Sequence, residues 1–334
     1  MKAAVFRQPH DMSLEIAPDP VLQPGDMLLR MKSAAICGTD IRIYRGRKTR
    51  GVRLPSIPGH EFTGEIVDTG GHADWRVGDR VAVCPALPCG TCRQCQAGFE
   101  NICPRLTAFG YELDGGFAEL IRLPKAFVET GHVFRLSPGV SPMTAALAEP
   151  LACVINGQDM IDLKAGETVA VLGTGPIGLL HVMLARQRGA GKVIAVQRSA
   201  HRRAAALELG ADIAFPPEAA EGLAVDAAIV AVGSVDLANL ALRVTRPRGR
   251  INLFAGFPAG ETTAFDLNAL HYAEHSVTGA FGLTRMQFAE ALDLIASGNL
   301  PVEKLISHRL PLDNVMGAFA LAEQGSALKV VITN

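Results

Sequence analysis

The sequence predicts an α/β chain of two domains, a β-barrel-type domain and a doubly wound parallel sheet. Three observations carry this. A chain of 334 residues is too long for one ordinary core and long enough for two. Up to about residue 150 it consists of short β-branched runs broken by Gly and Pro clusters, the texture of an all-β barrel. From Glu167 onward, apolar strand-like runs alternate with stretches in which Ala, Leu and Arg recur at helical spacing, which implies βαβ units and a sheet covered on both faces.

In chain order, "DMLLRMKSAAIC", "FTGEIVDTG" and "DRVAVC" read as strands of the first domain, where no long amphipathic helix is expected. In the second domain the strands are "ETVAVLG", "KVIAVQ", "DIAFP", "DAAIVAVG", "RINLFAG" and "SVTGAF". After Phe281 comes one more amphipathic helix, "RMQFAEALDLIASG", ended by Gly298. The closing "GSALKVVITN" reads as a strand that returns to the first domain. The expected boundaries are therefore 1–152 with 284–334 for the first domain and 153–283 for the second. There is no internal repeat and no low-complexity linker.

Charge excludes two partner classes. With 32 basic and 33 acidic residues the chain has no global field to gather nucleic acid or anionic lipid. No apolar run reaches the roughly 18 residues of a membrane span, and "MKAAVFRQPH" meets Arg7 and Pro9 before an apolar signal region could form. The expected location is cytoplasmic. In a reducing compartment an odd count of seven cysteines, four of them between residues 89 and 103, points to metal rather than disulfides. The spacing C-x2-C-x2-C-x7-C of Cys89, Cys92, Cys95 and Cys103 suits four thiolates around one tetrahedral Zn²⁺, with Gly90 and Gly98 letting the lobe curl. Four protein ligands close that site, so it is structural. Cys84 and Cys153 fall outside the spacing and read as small apolar side chains.

"VAVLGTGPIGLLHVMLARQRG" carries Gly173, Gly175 and Gly178 in G-x-G-x-x-G order, with Pro176 and Ile177 between, directly after a predicted strand and opening a predicted helix. The three glycines serve a tight turn, close approach of a pyrophosphate and close helix packing, with the helix N-terminus facing the phosphates. This is the Rossmann dinucleotide pattern. About twenty residues later, where a carboxylate would hold the adenosine 2′-hydroxyl, stands Gln197, followed by Arg198, Ser199 and Arg202. A neutral amide with two guanidinium groups favours a 2′-phosphate, so NADP is expected over NAD.

"AAICGTDIRIYRG" and "IPGHEFTGEIV" supply a second constellation, Cys37, His60 and Glu61. With "GHEFTGEIVDTGGHA", "CGTD", "GGFAE", the four-cysteine lobe and the glycine fingerprint all in order, the chain resembles the zinc-containing alcohol dehydrogenases of the medium-chain dehydrogenase/reductase superfamily along nearly its whole length. "AEPLACVI" is similar to the polyol branch, with its sorbitol, glucose and threonine dehydrogenases.

The resemblance implies a GroES-like barrel that carries catalysis, a Rossmann domain, a cleft between them for both ligands, and a second, catalytic zinc. Cys37 and His60 would ligate that zinc, Glu61 and Glu149 would bind it directly or through water, and Asp40 would orient His60. Thr39 matches the family's hydroxyl relay, but the outer relay position holds Arg42, which is no base near neutral pH. The implied activity is hydride transfer from the carbinol carbon of a polyol, sugar or related secondary alcohol to the nicotinamide. Threonine, amino-alcohol or sugar-phosphate dehydrogenation is the alternative within enzymes, and a non-catalytic dinucleotide sensor is the alternative outside them. A homo-oligomer, dimer or tetramer, is implied by resemblance alone. Finally, "YRGRKTRGVR" is either a solvated loop or a greeting for a phosphate or acidic substrate.

Overall fold

Period-two burial builds the first unit. In the strand Met27–Ala35, Met27, Leu29 and Met31 are buried while Arg30 is exposed, so one face packs inward and the other meets water. The computed structural model describes residues 1–263 and 265–334. They divide into one unit of Met1–Pro150, Thr284–Gly298 and Val302–Asn334, and another of Leu151–Leu283 and Asn299–Pro301.

In the first unit a seven-stranded sheet runs, edge to edge, Ile306–Pro311, Lys329–Thr333, Met27–Ala35, Glu61–Asp68, Arg80–Val83 and Val133–Arg135, with Leu120–Leu123 pairing alongside Met27–Ala35. The C-terminal strand lies antiparallel to Met27–Ala35, with Val331 opposite Ala35. That register brings Lys329 toward the segment that follows Ala35. The core holds an aromatic chain: Phe62 meets Phe109 edge-on at 5.2 Å and Phe109 meets Phe127 at 4.6 Å. Burying each such ring contributes about 1.5–3 kcal/mol. A seven-residue helix, Gly38–Tyr44, follows directly, because Asp40 accepts the N–H of its cap residue Cys37 at 2.9 Å. The helix Arg285–Ala296 starts at a reciprocal cap between Thr284 and Gln287.

The second unit is one parallel sheet of six strands: Thr168–Leu172, Lys192–Val196, Ile213–Phe215, Val225–Val230, Thr245–Leu253 and Ser276–Gly279. Across the sheet they stand third, second, first, fourth, fifth, sixth. The order reverses at the first strand, and a ligand crevice forms at the carboxyl end of the strand where that happens. Residues Val169 to Leu172 and Val193 to Val196 are all buried, since helices cover both faces and leave no polar side. Among the described residues no helix is long and apolar enough to cross a membrane.

Candidate metal centres and cofactor site

Four thiols converge in the lobe between the short strands Ala86–Leu87 and Thr107–Ala108. Sγ of Cys92 lies 3.4 Å from Cys95 and 3.8 Å from Cys103, and Cys89 lies 4.0 Å from Cys95. All four are free thiols. A tetrahedron of sulfurs at about 2.3 Å from zinc has edges of about 3.8 Å, so the set fits the ion without rearrangement. The surroundings suit thiolates: the Cys89 and Arg105 backbone N–H groups donate to Cys103 Sγ at 3.3 and 3.4 Å, and the Arg105 guanidinium donates to Cys89 Sγ at 3.2 Å. The Thr91 backbone N–H leads the effects that pull the Cys89 thiol down to about 5. Arg105 was not singled out by the sequence. Its signal is only a basic residue two positions after the last cysteine.

The second cluster comes from two chain segments. Cys37 caps the helix Gly38–Tyr44, while His60 and Glu61 open the strand Glu61–Asp68. One ligand atom from each of Cys37, His60 and Glu61 lies within 4.8 Å of the others. Glycine is required just before them: Gly59 has φ +99°, and an added Cβ would sit 3.1 Å from the Phe117 ring. The His60 ring turns Nδ1 toward Asp40 Oδ1 at 3.4 Å, which leaves Nε2 as the ring nitrogen available to a metal. Burial acts to lower the His60 pKa, but Asp40, with Tyr111 and Cys37, outweighs it and raises the pKa well above its ordinary value. Positive charge is therefore favoured here, and a Cys, His and carboxylate set with one half-buried member fits a zinc ion with an open position.

Glu61 brings a partner that motif reading did not find. Lys329, buried with only 4% of its surface exposed, donates to both Glu61 oxygens at 2.6 and 2.5 Å and to the Ile36 carbonyl at 3.2 Å. The only sequence signal is a lysine opening an otherwise apolar last strand. Tyr111 is the other residue missed. Its ring lies 5.6 Å from that of His60, and burial pushes its phenol up to about 12. Glu149, second in the helix Ala148–Asp159, is outside the three-residue cluster, but its charge is felt at Tyr111 and Lys329. Thr39 Oγ1 accepts from the Arg42 guanidinium at 2.9 Å. Cys84 is buried, and burial pushes its thiol up; Cys153 is half-buried in the helix.

In the second unit the fingerprint sits at the end of the strand Thr168–Leu172. Gly173 has φ +93°, and a Cβ on Gly178 would lie 1.9 Å from the Gly173 carbonyl oxygen, so both are held to glycine by the fold. Gly175 differs. A Cβ there would meet only Arg202 Nη1, at 3.9 Å, so its bareness leaves room for a ligand at the N-terminus of the helix Pro176–Gln187 rather than for the protein. That contact also puts the Arg202 guanidinium beside the fingerprint. Gln197 ends the second strand's loop with Oε1 accepting weakly from Ser199 N–H at 3.4 Å, and Arg198 is exposed. The loop is fixed by Arg203, absent from the sequence reading, whose Nη1 donates to the Gln197 and Arg198 carbonyls at 2.8 and 2.6 Å.

Residues 23–131 match the family described as Alcohol dehydrogenase GroES-like domain, and residues 176–297 match Zinc-binding dehydrogenase. The chain is 32% identical to a sorbitol dehydrogenase of Bombyx mori, over 99% of this chain and 97% of that protein. It is 31% identical to an L-threonine 3-dehydrogenase of a Chelativorans species, over 99% of this chain and 98% of the other. A zinc-binding dehydrogenase of Sinorhizobium meliloti 1021, solved with NADP bound, superposes with a TM-score of 0.93 at 32% identity, covering 100% of this chain and 99% of that one.

Proposed function

This chain belongs to the zinc-containing medium-chain dehydrogenase family, and we propose that within it the protein oxidises a polyol, sugar or related secondary alcohol with NADP in preference to NAD. Membership makes it a zinc-dependent, nicotinamide-dependent alcohol or polyol dehydrogenase acting on a small molecule. When bound, zinc would supply a Lewis acid that lowers the pKa of a substrate hydroxyl, and a nicotinamide would supply the hydride acceptor.

The chain's own residues do the rest. Cys37 and His60 would hold the catalytic ion, with Asp40 fixing the His60 tautomer. Thr39 takes the first step of the proton's path outward, and Arg42, bonded to it, holds that hydroxyl in place. A second zinc in the four-cysteine lobe is structural. Reduced thiols there suit a cytoplasmic setting, and a dimer or tetramer is the expected assembly.

The observation that carries the cofactor preference is the replacement of a carboxylate by Gln197 with the Arg202 guanidinium beside Gly175. The NADP bound to the Sinorhizobium relative supports the same reading. Charge-assisted bonds contribute about 1.5–3 kcal/mol each when well formed, and less when exposed, so NADP should be favoured by about ten- to a thousandfold, less at high salt. The test is the rate of nicotinamide reduction across polyols, sugars and simple alcohols with each cofactor. Gln197→Asp with Arg198→Ala should swing the preference toward NAD; a wild type that uses NAD better at equal concentration would refute the assignment.

A further inference from the structure

Arg42 in the last turn of the helix Gly38–Tyr44 is followed, in the segment up to Ile57, by Arg45, Arg47, Lys48, Arg50 and Arg53. The arginines of this run are exposed, and Lys48 alone among the six is half-buried. Arg45 pairs with Glu323 at 2.7 Å, and Arg53 pairs with Asp114. Among the described residues no carboxylate pairs with Arg42, Arg47, Lys48 or Arg50.

The loop is also fastened to the metal cluster's wall. The N–H groups of Arg47 and Lys48 both donate to the Arg42 carbonyl, at 2.8 and 3.2 Å, which folds Lys48 back beside Arg42. Lys48 then lies half-buried with Nζ 5.6 Å from the centre of the Tyr111 ring, and that ring is itself 5.6 Å from His60. Farther on, the Arg53 N–H donates to the Tyr111 carbonyl at 3.0 Å, so the segment is tied to Tyr111 twice. At the other end Arg42 donates to Thr39, two residues from Cys37. The ammonium of Lys48 thus stands one aromatic ring away from the imidazole of the metal cluster, with Arg42 close enough for its charge to act on Lys48.

The charges around Lys48 do not cancel. Burial lowers its pKa, and the fields of Arg50 and Arg42 lower it further; Glu112 alone opposes them. The Glu112 carboxylate already accepts the Ala108 N–H at 3.0 Å. Three cations against one engaged carboxylate leave a surplus of positive charge beside the Tyr111 ring, with the Lys48 ammonium held by the Arg50 carbonyl at 2.5 Å. A neutral polyol offers nothing to satisfy it, whereas an anionic oxygen group would accept charge-assisted bonds from both a fork and an ammonium.

We propose that Arg42, Lys48 and Arg50 form the anion-binding side of the substrate site, and that the alcohol substrate carries a carboxylate or a phosphate on its chain away from the reacting carbinol. This rests on the dehydrogenase reading given above and narrows its substrate class. The reaction is unchanged: the carbinol loses one hydride to the nicotinamide and one proton outward, while the anionic group is a handle that is neither made nor broken.

The test uses the zinc-loaded full-length enzyme with NADP⁺ and three probes of similar length: D-sorbitol, D-sorbitol 6-phosphate and D-gluconate. Turnover and equilibrium binding by calorimetry are read side by side. At low ionic strength at least one anionic probe should exceed sorbitol by about ten- to a hundredfold in binding and in kcat/KM, and the excess should shrink as salt is raised. Which anion leads distinguishes a sugar-phosphate from a sugar-acid substrate. Lys48→Met with Arg50→Met should collapse the anion-to-neutral ratio, and Lys48→Arg should retain most of it. Anions binding no more tightly than sorbitol, or an excess that survives in the double variant, would overturn the proposal. Preferential anion binding without oxidation of any alcohol would instead sink the dehydrogenase reading and leave the anion site standing.

Discussion

Replacing Lys329 by Met isolates the buried ion pair at the metal cluster. Lys329 is 4% exposed and Glu61 fully buried, so the carboxylate has no water to fall back on. Two bonds to Glu61 and one to the Ile36 carbonyl join the C-terminal strand to the segments carrying Cys37 and His60. Removing one member of such a pair leaves an uncompensated buried charge, which costs about 3–5 kcal/mol, whereas removing both charges together costs much less. Denaturant unfolding should therefore show Lys329→Met losing about 3–5 kcal/mol and Lys329→Met with Glu61→Gln recovering at least half of it. Zinc can serve as the alternative counter-charge for Glu61, so the loss should be largest after chelation. Burial pushes the Lys329 pKa down, but Glu61, with Cys37 and Glu149, pushes it up further, to a net rise. A raised lysine pKa contributes stability that is fully present below the unfolded value and is lost only as alkaline pH passes the folded one, so the wild-type effect should be flat through neutrality. A loss under about 1 kcal/mol in the single variant, or a double variant as unstable as the single one, would refute the reasoning.

Further outcomes follow from the same geometry. Metal analysis of freshly prepared, unchelated protein should find two zinc ions per chain; Cys92→Ser should remove one and lower stability, and His60→Ala should abolish turnover while the lobe zinc stays. One ion or none in the wild type would exclude two centres. Thr39→Ala should slow turnover by about 10²–10⁴-fold with little change in cofactor affinity, as loss of a positioned proton-transfer group does, and an unchanged rate would show another path. Burial holds His132 down at about 4 and His181 down at about 3, below the ordinary value of 6.5. The unfolded chain then binds protons that the folded one refuses, so stability falls as pH drops from about 6.5 toward these values, by about 2 kcal/mol per histidine at pH 5. His181→Leu should flatten the acid side of the urea-midpoint profile of its unit, and an unaltered profile would show that His181 is not the cause.

Short-range geometry explains what the sequence made legible. A strand buried on both faces has no polar side, so the central strands Thr168–Leu172, Lys192–Val196 and Val225–Val230 stand out as apolar runs, and Gly178 is glycine because an atom 1.9 Å from a carbonyl has nowhere to go. The cysteine lobe closes within fifteen residues and leaves its spacing in the chain. Lys329 and Glu61 are 268 residues apart, and their meeting depends on the register that sets Val331 opposite Ala35, which no local pattern encodes. Arg203 was passed over for Arg198 and Arg202 because three neighbouring arginines look alike until Ser199 fixes the phase of the helix Ala200–Glu208. Tyr111 lies in a loop whose only mark is its neighbouring glycine, and its place beside His60 comes from packing across the barrel.

Charge separates the two carboxylates that could complete a catalytic zinc. A divalent ion held by one thiolate and one neutral imidazole retains one positive charge, and burial makes that surplus costly. Glu61 offers its charge only in part, since Lys329 shares the same carboxylate through both oxygens, although a Glu61 oxygen lies within 4.8 Å of the Cys37 and His60 ligand atoms. Glu149 is negative, half-buried, and close enough that its charge acts on both Tyr111 and Lys329. We infer that Glu149 is the carboxylate that binds the ion, directly or through water, and that Glu61 with Lys329 is a fixed internal pair behind it. Glu149→Gln should then weaken retention of the catalytic zinc against a chelator by about tenfold or more, within the range for lost groups around a metal, and substitution of cobalt should show an altered visible spectrum. Glu61→Gln should change zinc retention less and stability more, since it strands the Lys329 ammonium. If Glu61→Gln releases the ion faster than Glu149→Gln, the assignment of the two carboxylates is reversed.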